Sequence, residues 1–381
     1  MEARCRQVSL RPCRREVPST YESAIPASIA DQSPDVSRTL MRRMSEIESM
    51  MARFDQSQAA RNYNLPALIL RSESSSSSRI EGLTSSVQDV AFAELSDKVP
   101  ANARLVANNV AAMRAAISQS GPIDVKSLYD VHDTLMAGTG EEMGLRDEQV
   151  WIGGTAYSPH GAMFVPPHPS RLDFCLDDLV RFCYREDIHP IAKAALFHAQ
   201  FETIHPFTDG NGRVGRALLH RILADEEVVQ HAALPISASL LRNVNTYMEA
   251  LNAYHSGNIE EIIDCLTDAL ELAVVIGAKM ASRVDRVLDS WRTMSTDRSD
   301  STSHRLPVLL VEQPAINTSY MAQRLGISDR AARRAISQAC ERGILTKVGN
   351  AQRGAFYQAT DLITILEEAS SVPNIRRMVA S

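Results

Sequence analysis

Cysteine is sparse and scattered: six residues (Cys5, Cys13, Cys175, Cys183, Cys265, Cys340) in a chain of 381, with no CxxC pair and no Cys/His knuckle. That pattern argues against a zinc ribbon or a disulfide framework and suits a reducing compartment, so a cytoplasmic protein is expected. Long apolar runs are missing too. The longest, Leu272 to Ala278, is far too short to cross a bilayer, and no membrane partner is expected. Charge of one sign is not in strong excess: the net charge is -6, so any nucleic-acid site has to be a local patch. Arg4, Arg6, Arg11, Arg14 and Arg15 have no apolar stretch behind them, which excludes an evident signal peptide. Residues 1–37 therefore read as an irregular basic leader. No internal repeat is apparent. What remains, 44% apolar and 23% charged residues, is ordinary for a soluble protein of two or three domains.

Helical periodicity dominates. Leu40, Met44, Ile47, Met51 and Phe54 recur at three and four residues and predict an amphipathic helix from Ser37 to about Phe54. A serine run follows at Ser72 to Ser78. Because a helical pattern resumes at Val87 to Leu95, the serines are expected to open a helix, with Ser77 or Ser78 as its cap. Further helices are expected over 101–118, 124–136, 172–184, 190–204, 213–225, 237–256 and 259–291. Between Val150 and Pro167 two short β-prone runs flank Gly, Ser, Pro and His, the pattern of a hairpin-like flap. Thr293 to Arg305 is polar and nearly free of apolar residues, and reads as a linker. The division expected is a leader (1–37), an N-terminal helical region (38–100), a core (101–292), the linker (293–305) and a small separate domain (306–381).

The chemistry concentrates in His205-Pro206-Phe207-Thr208-Asp209-Gly210-Asn211-Gly212-Arg213-Val214-Gly215-Arg216. Pro206 stops one helix, and Gly210-Asn211-Gly212 turns into the next. Backbone N–H groups at such a turn, on a helix N-terminus, form an anion nest. Arg213 and Arg216 lie three residues apart on one face of the new helix, suited to clamping phosphate. Asp209 suits Mg²⁺ held against phosphate oxygens, and His205 suits a general base. Phe207 is expected to point inward and anchor the loop. A base, a metal ligand, an anion cradle and charge clamps together specify phosphoryl or nucleotidyl transfer.

This stretch resembles the Fic family signature, HPFx(D/E)GNGRxxR, at every position. Similarity in pattern extends over residues 40–290: Gln149–Gly154 and Ala162–Pro167 resemble the family's flap, and Leu234-Pro235-Ile236-Ser237 with the helix of Tyr247 and Leu251 resemble its later helices. The resemblance implies a mainly α fold, a Fic-type helical core with a β-hairpin flap. It implies protein AMPylation, transfer of AMP from ATP to a Ser, Thr or Tyr hydroxyl of a protein substrate, with Mg²⁺ or Mn²⁺. On that reading His205 deprotonates the hydroxyl and Asp209 holds the metal. Gly210, Asn211, Gly212, Arg213 and Arg216 bind ATP and its departing pyrophosphate, and the flap residues Tyr157, Phe164 and Val165 dock the target.

Upstream, Ser77-Ser78-Arg79-Ile80-Glu81-Gly82 resembles the family's inhibitory helix, (S/T)xxxE(G/N). The resemblance implies that Glu81, with Ser77, pairs with Arg216 and obstructs the ATP γ-phosphate. Beyond the linker, Met321, Leu325, Gly326 and Ile327 precede a helix from Ser328 to Arg342, and two β-prone runs follow; together they resemble a winged helix-turn-helix. Ser328, Arg330, Arg333 and Arg334 fall where a major-groove reader places its contacts. Winged helices bind both DNA and protein, so DNA contact and a homodimer stay open alternatives. Two rival readings also stand: a DNA-binding regulator whose Fic core senses nucleotide, and an enzyme that removes AMP.

Overall fold

The computed structural model describes residues 20–96, 98–119, 121–140, 143–155, 157–294, 302–349 and 354–380. The expectation for residues 1–19 of the leader and 295–301 of the linker lies outside the described residues. Sixteen α-helices, one 3-10 turn (Pro169–Arg171) and three short strands occupy the described chain: α1 (Arg38–Ala59), α2 (Leu65–Ile80), α3 (Val87–Ala93), α4 (Ala101–Ser118), α5 (Val125–Met136), α6 (Leu172–Cys183), α7 (Pro190–Ile204), α8 (Asn211–Asp225), α9 (Ile236–Arg242), α10 (Val244–His255), α11 (Ile259–Thr293), α12 (Thr302–Glu312), β1 (Ala315–Asn317), α13 (Thr318–Leu325), α14 (Asp329–Glu341), β2 (Thr346–Val348), β3 (Phe356–Gln358), α15 (Thr360–Ala369) and α16 (Val372–Ala380). The mainly helical class is as expected. The single helix expected over 237–256 is instead α9 and α10, broken at Asn243, whose backbone leaves the helical region at φ -143°, ψ 71°.

The chain divides into two compact units, one of Met1–Ser45, Ala111–Glu227 and Asn245–Thr267, the other of Glu46–Val110, Val228–Val244 and Asp268–Ser381. In the first, α7 packs along α8, with α6 against α7 and α5 against α8. Helix α7 is apolar nearly all round (Ile191, Ala194, Leu196, Phe197, Ala199 and Phe201 are all buried), the signature of a central core helix. Pro190 opens it where a missing N–H is harmless, and His189 Nδ1 accepts the Ile191 N–H. The expected flap is present as two isolated antiparallel bridges, Ile152 with Phe164 and Thr155 with Ser158, rather than a continuous ladder.

In the second unit α2 is central, packed by α3, α9, α12 and α15. The serine run does not open a helix. It forms the C-terminal half of α2, which starts seven residues earlier at Leu65, capped by Asn64, whose side chain accepts the Ala67 N–H. Ser72 to Ser78 are all buried, because small side chains let neighbouring helices approach closely. Buried Glu73 holds the start of α9: its carboxylate accepts the Ser237 N–H at 2.8 Å and the Ser237 hydroxyl at 2.6 Å. Equally buried Arg71 donates to the Glu94 carboxylate, to the Glu312 carbonyl at 2.6 Å and to Gln313 Oε1.

The strands order as β1-β3-β2, both pairs antiparallel. Ala91 and Phe92 of α3 share one apolar cluster with Ala315 and Ile363, and the Phe92 and Phe356 rings lie 5.1 Å apart. The C-terminal elements therefore complete their core with α3 rather than closing it alone.

Candidate active site

Helix α7 ends at Ile204, and His205 takes the left-handed conformation, φ 49° and ψ 61°. A non-glycine residue there is uncommon and is held by its surroundings. Its N–H still reaches back to the Phe201 carbonyl, 2.9 Å away. Its own carbonyl accepts from Arg146 Nε at 2.8 Å.

Arg146 is the organiser that sequence reading missed. Only 4% exposed, it also donates to the carbonyls of Glu148, Pro167 and Ile204, and its N–H reaches the Pro206 carbonyl. A planar guanidinium with five donors suits such a set of carbonyls. The lone arginine carries no motif in the sequence; only the converging chain segments reveal it.

Phe207 points inward as expected and is fully buried. Its ring stacks on His132, centroids 3.8 Å apart, and meets Phe201 at 6.3 Å. His132 is a second residue that the sequence did not signal. Its Nε2–H donates to the Asp209 carbonyl at 3.2 Å, which sets the tautomer. Burial holds the His132 imidazole below its ordinary basicity. The Asn211 side chain braces the same loop, donating to the Phe207 carbonyl at 2.8 Å and accepting the Phe207 N–H at 2.9 Å. Its amide is thus used inside the loop, not free for the phosphate contact expected of Asn211.

Gly210 caps α8 at φ 83°, and a Cβ there would meet Leu135 Cδ2 at 2.9 Å and Met136 Cε at 3.2 Å. Only glycine fits this approach. Gly212, Arg213 and Arg216 follow in the first turns of α8, all buried. Arg213 Nη2 pairs with Asp209 Oδ2 at 3.1 Å, while its Nε and Nη1, both buried, have no hydrogen-bond partner among the described residues. Buried guanidinium N–H groups without acceptors are costly unless an anion receives them. Asp209, half exposed, also accepts the Gly210 N–H at 2.7 Å.

Of the flap residues, Tyr157 is exposed, whereas Phe164 is half-buried and stacks on His255 with centroids 4.1 Å apart. Ser77 lies inside α2, and Glu81 is the residue that closes it. Ser328 caps α14, accepting the Ala331 N–H, and Arg330, Arg333 and Arg334 are exposed on that helix.

Residues 122–223 match the model of the Fic/DOC family. Among curated proteins, a probable protein adenylyltransferase of Aquifex aeolicus is 33% identical over 130 residues, covering 34% of this chain and 36% of that one. A protein adenylyltransferase Fic of Nematostella vectensis is 30% identical over 239 residues, covering 59% and 52%. The chain thus spans roughly a third to a half of the length of these relatives. A Fic family protein from Desulfovibrio desulfuricans shares the fold, with a TM-score of 0.57 and 20% identity over 86% of this chain and 97% of that one. The chain therefore carries a Fic domain over residues 122–223.

Proposed function

We propose that this protein is an adenylyltransferase that moves AMP from ATP to a Ser, Thr or Tyr hydroxyl of a protein substrate. The observation that carries the reading is the intact loop from His205 to Arg216, with Nε and Nη1 of Arg213 buried near the start of α8 and without a hydrogen-bond acceptor among the described residues. Curated relatives with matching sequence bear the name protein adenylyltransferase, which agrees.

In the reaction, the acceptor oxygen attacks the α-phosphorus while His205 takes its proton. The new O–P bond forms as the bond to pyrophosphate breaks, and pyrophosphate departs. Arg213 and Arg216 answer the negative charge on the phosphates, and the turn at Gly210–Gly212 supplies backbone N–H groups. Asp209 would hold Mg²⁺ or Mn²⁺. Among the described residues no cluster of three ligating side chains occurs; Asp209 would offer the ion a carboxylate oxygen, a donor type suited to Mg²⁺. The ion would supply positive charge against the phosphates. Glu81, at the end of α2 and four residues beyond Ser77, is the proposed brake on Arg216.

The C-terminal elements support a winged helix-turn-helix reading: α13 and α14 meet at Gly326 (φ 64°), and β2 and β3 form a two-stranded ribbon beyond. One observation favours DNA as a second partner, the exposed Arg330, Arg333 and Arg334 on one helix. No helix among the described residues is long and apolar enough to cross a membrane.

Incubation with ATP labelled on the α-phosphate, with Mg²⁺ or Mn²⁺, tests the proposal. Protein-bound label that disappears in His205→Ala is the expected result. Absent labelling with tight duplex binding would establish the regulator reading instead, and release of AMP from modified protein would establish the reverse reaction.

A further inference from the structure

The flap is not a free hairpin. Phe164 spends both backbone groups on Ile152: its carbonyl accepts the Ile152 N–H at 2.8 Å and its N–H reaches the Ile152 carbonyl at 3.2 Å. In an extended chain the next residue faces the other way. The Val165 carbonyl accordingly accepts the Ala24 N–H at 2.8 Å. Four residues earlier, the Thr20 carbonyl accepts from His160 Nε2 at 2.9 Å. The N-terminal segment thus runs beside residues 160–165 in the same direction.

That segment is fastened far more firmly than a loop needs. Buried Asp178 of α6 accepts the Ile29 N–H at 2.8 Å and the Ala30 N–H at 3.4 Å, and also the Ser28 hydroxyl. Gln200 Nε2 donates to the Ala27 carbonyl at 2.7 Å, and its Oε1 accepts the Tyr254 hydroxyl. Arg185 donates to the carbonyls of Ala30 and Gln32, both at 2.9 Å. Beneath lies a cavity of about 460 Å³, lined by Ala24, Ile29, Phe164, Phe182, Tyr254 and His255 among others. Val165 is two residues from Pro167, whose carbonyl shares the Arg146 guanidinium with the His205 carbonyl. A connected set of hydrogen bonds therefore runs from the N-terminal segment through the flap to the catalytic loop.

We propose that residues 20–30 are a fixed strap along the flap, setting the height at which an acceptor polypeptide meets His205. The Val165 carbonyl is occupied by this chain itself, so that group is not one with which an acceptor strand pairs. The segment is a positioning element, not a catalytic one, and the inference rests on the transfer reading above.

The test uses the full chain carrying Ala24→Pro, which deletes the donor, Ala24→Ser, which keeps it, and Asp178→Asn, which turns one acceptor of the anchor into a donor. Three quantities are read: amide exchange at Ile152 and Met163, ATP affinity by calorimetry, and AMP transfer to proteins of a cell extract at graded extract concentration. In Ala24→Pro and Asp178→Asn the two amides exchange about tenfold faster, the effect of losing roughly one net hydrogen bond. Transfer in both falls through a higher half-saturating extract concentration, with ATP affinity kept within about twofold. Ala24→Ser matches the parent. Unchanged exchange and transfer in Ala24→Pro overturns the proposal, as does loss of ATP binding in step with transfer, which marks a segment that only holds the fold. If the parent itself transfers no AMP, the transfer reading and the acceptor role fall together, while the exchange rates still report whether the segment holds the flap.

Discussion

Asn211 grips Phe207 by both backbone groups, donating to its carbonyl at 2.8 Å and accepting its N–H at 2.9 Å, with both residues buried. The catalytic loop is therefore closed by one side chain across four residues. Asn211→Ala leaves a buried N–H and C=O unpaired, at a cost of about 2–4 kcal/mol. The thermal midpoint should fall, and AMP transfer should drop by roughly a hundredfold, because the loop that carries the proposed base is loosened. Calorimetry and label transfer from ATP check the two effects separately.

Arg146 binds the carbonyls of His205, Pro167 and Glu148 with one planar group. Arg146→Lys keeps the charge but not the fork, so it should lower transfer by about tenfold or more and destabilise the fold by roughly 2 kcal/mol. A lysine variant equal to the parent in both measurements would refute this role.

Gly210 adopts φ 83°, and a side chain there meets Leu135 at 2.9 Å. Gly210→Ala combines backbone strain of about 1–2 kcal/mol with that clash, and should weaken ATP binding as well as stability. Titration calorimetry with ATP reads the first, thermal unfolding the second.

Glu81 closes α2 beside Gly82, whose φ of 75° ends the helix. With Glu81 as the brake, Glu81→Gly should raise AMP incorporation by about fivefold or more, since removing a carboxylate restores a cation to the phosphates. Incorporation no higher than in the parent would remove the brake from the reading.

Stability should depend on pH below neutrality. Burial lowers the pKa of His132 and of His255 from the ordinary 6.5. The unfolded chain then binds more protons than the folded one once the pH falls below about 6.5, so folding weakens as pH falls through that range and the loss levels off below the folded-state values. Thermal midpoints between pH 7.5 and 5.5 should decline, and less so in His132→Gln.

The sequence by itself determined the motif on which the proposed chemistry rests, and the helical class. A contiguous motif needs no tertiary information: Pro206 ends α7, Gly210 opens α8, and the two arginines follow at helical spacing. Local rules likewise predicted α4, α5, α6 and α7 within about a residue or two, where periodicity and caps agree. They failed at the serine run, because burial against α3, α9, α12 and α15, not serine's own preference for helix starts, decides that α2 continues through it. Arg146, His132 and Asp178 were equally illegible, since each serves a partner dozens or more residues away along the chain. A lone side chain carries no spacing signal, and only the folded chain brings its partners within hydrogen-bond reach. The motif carries the proposed reaction; the long-range packing decides how firmly its loop and flap are held.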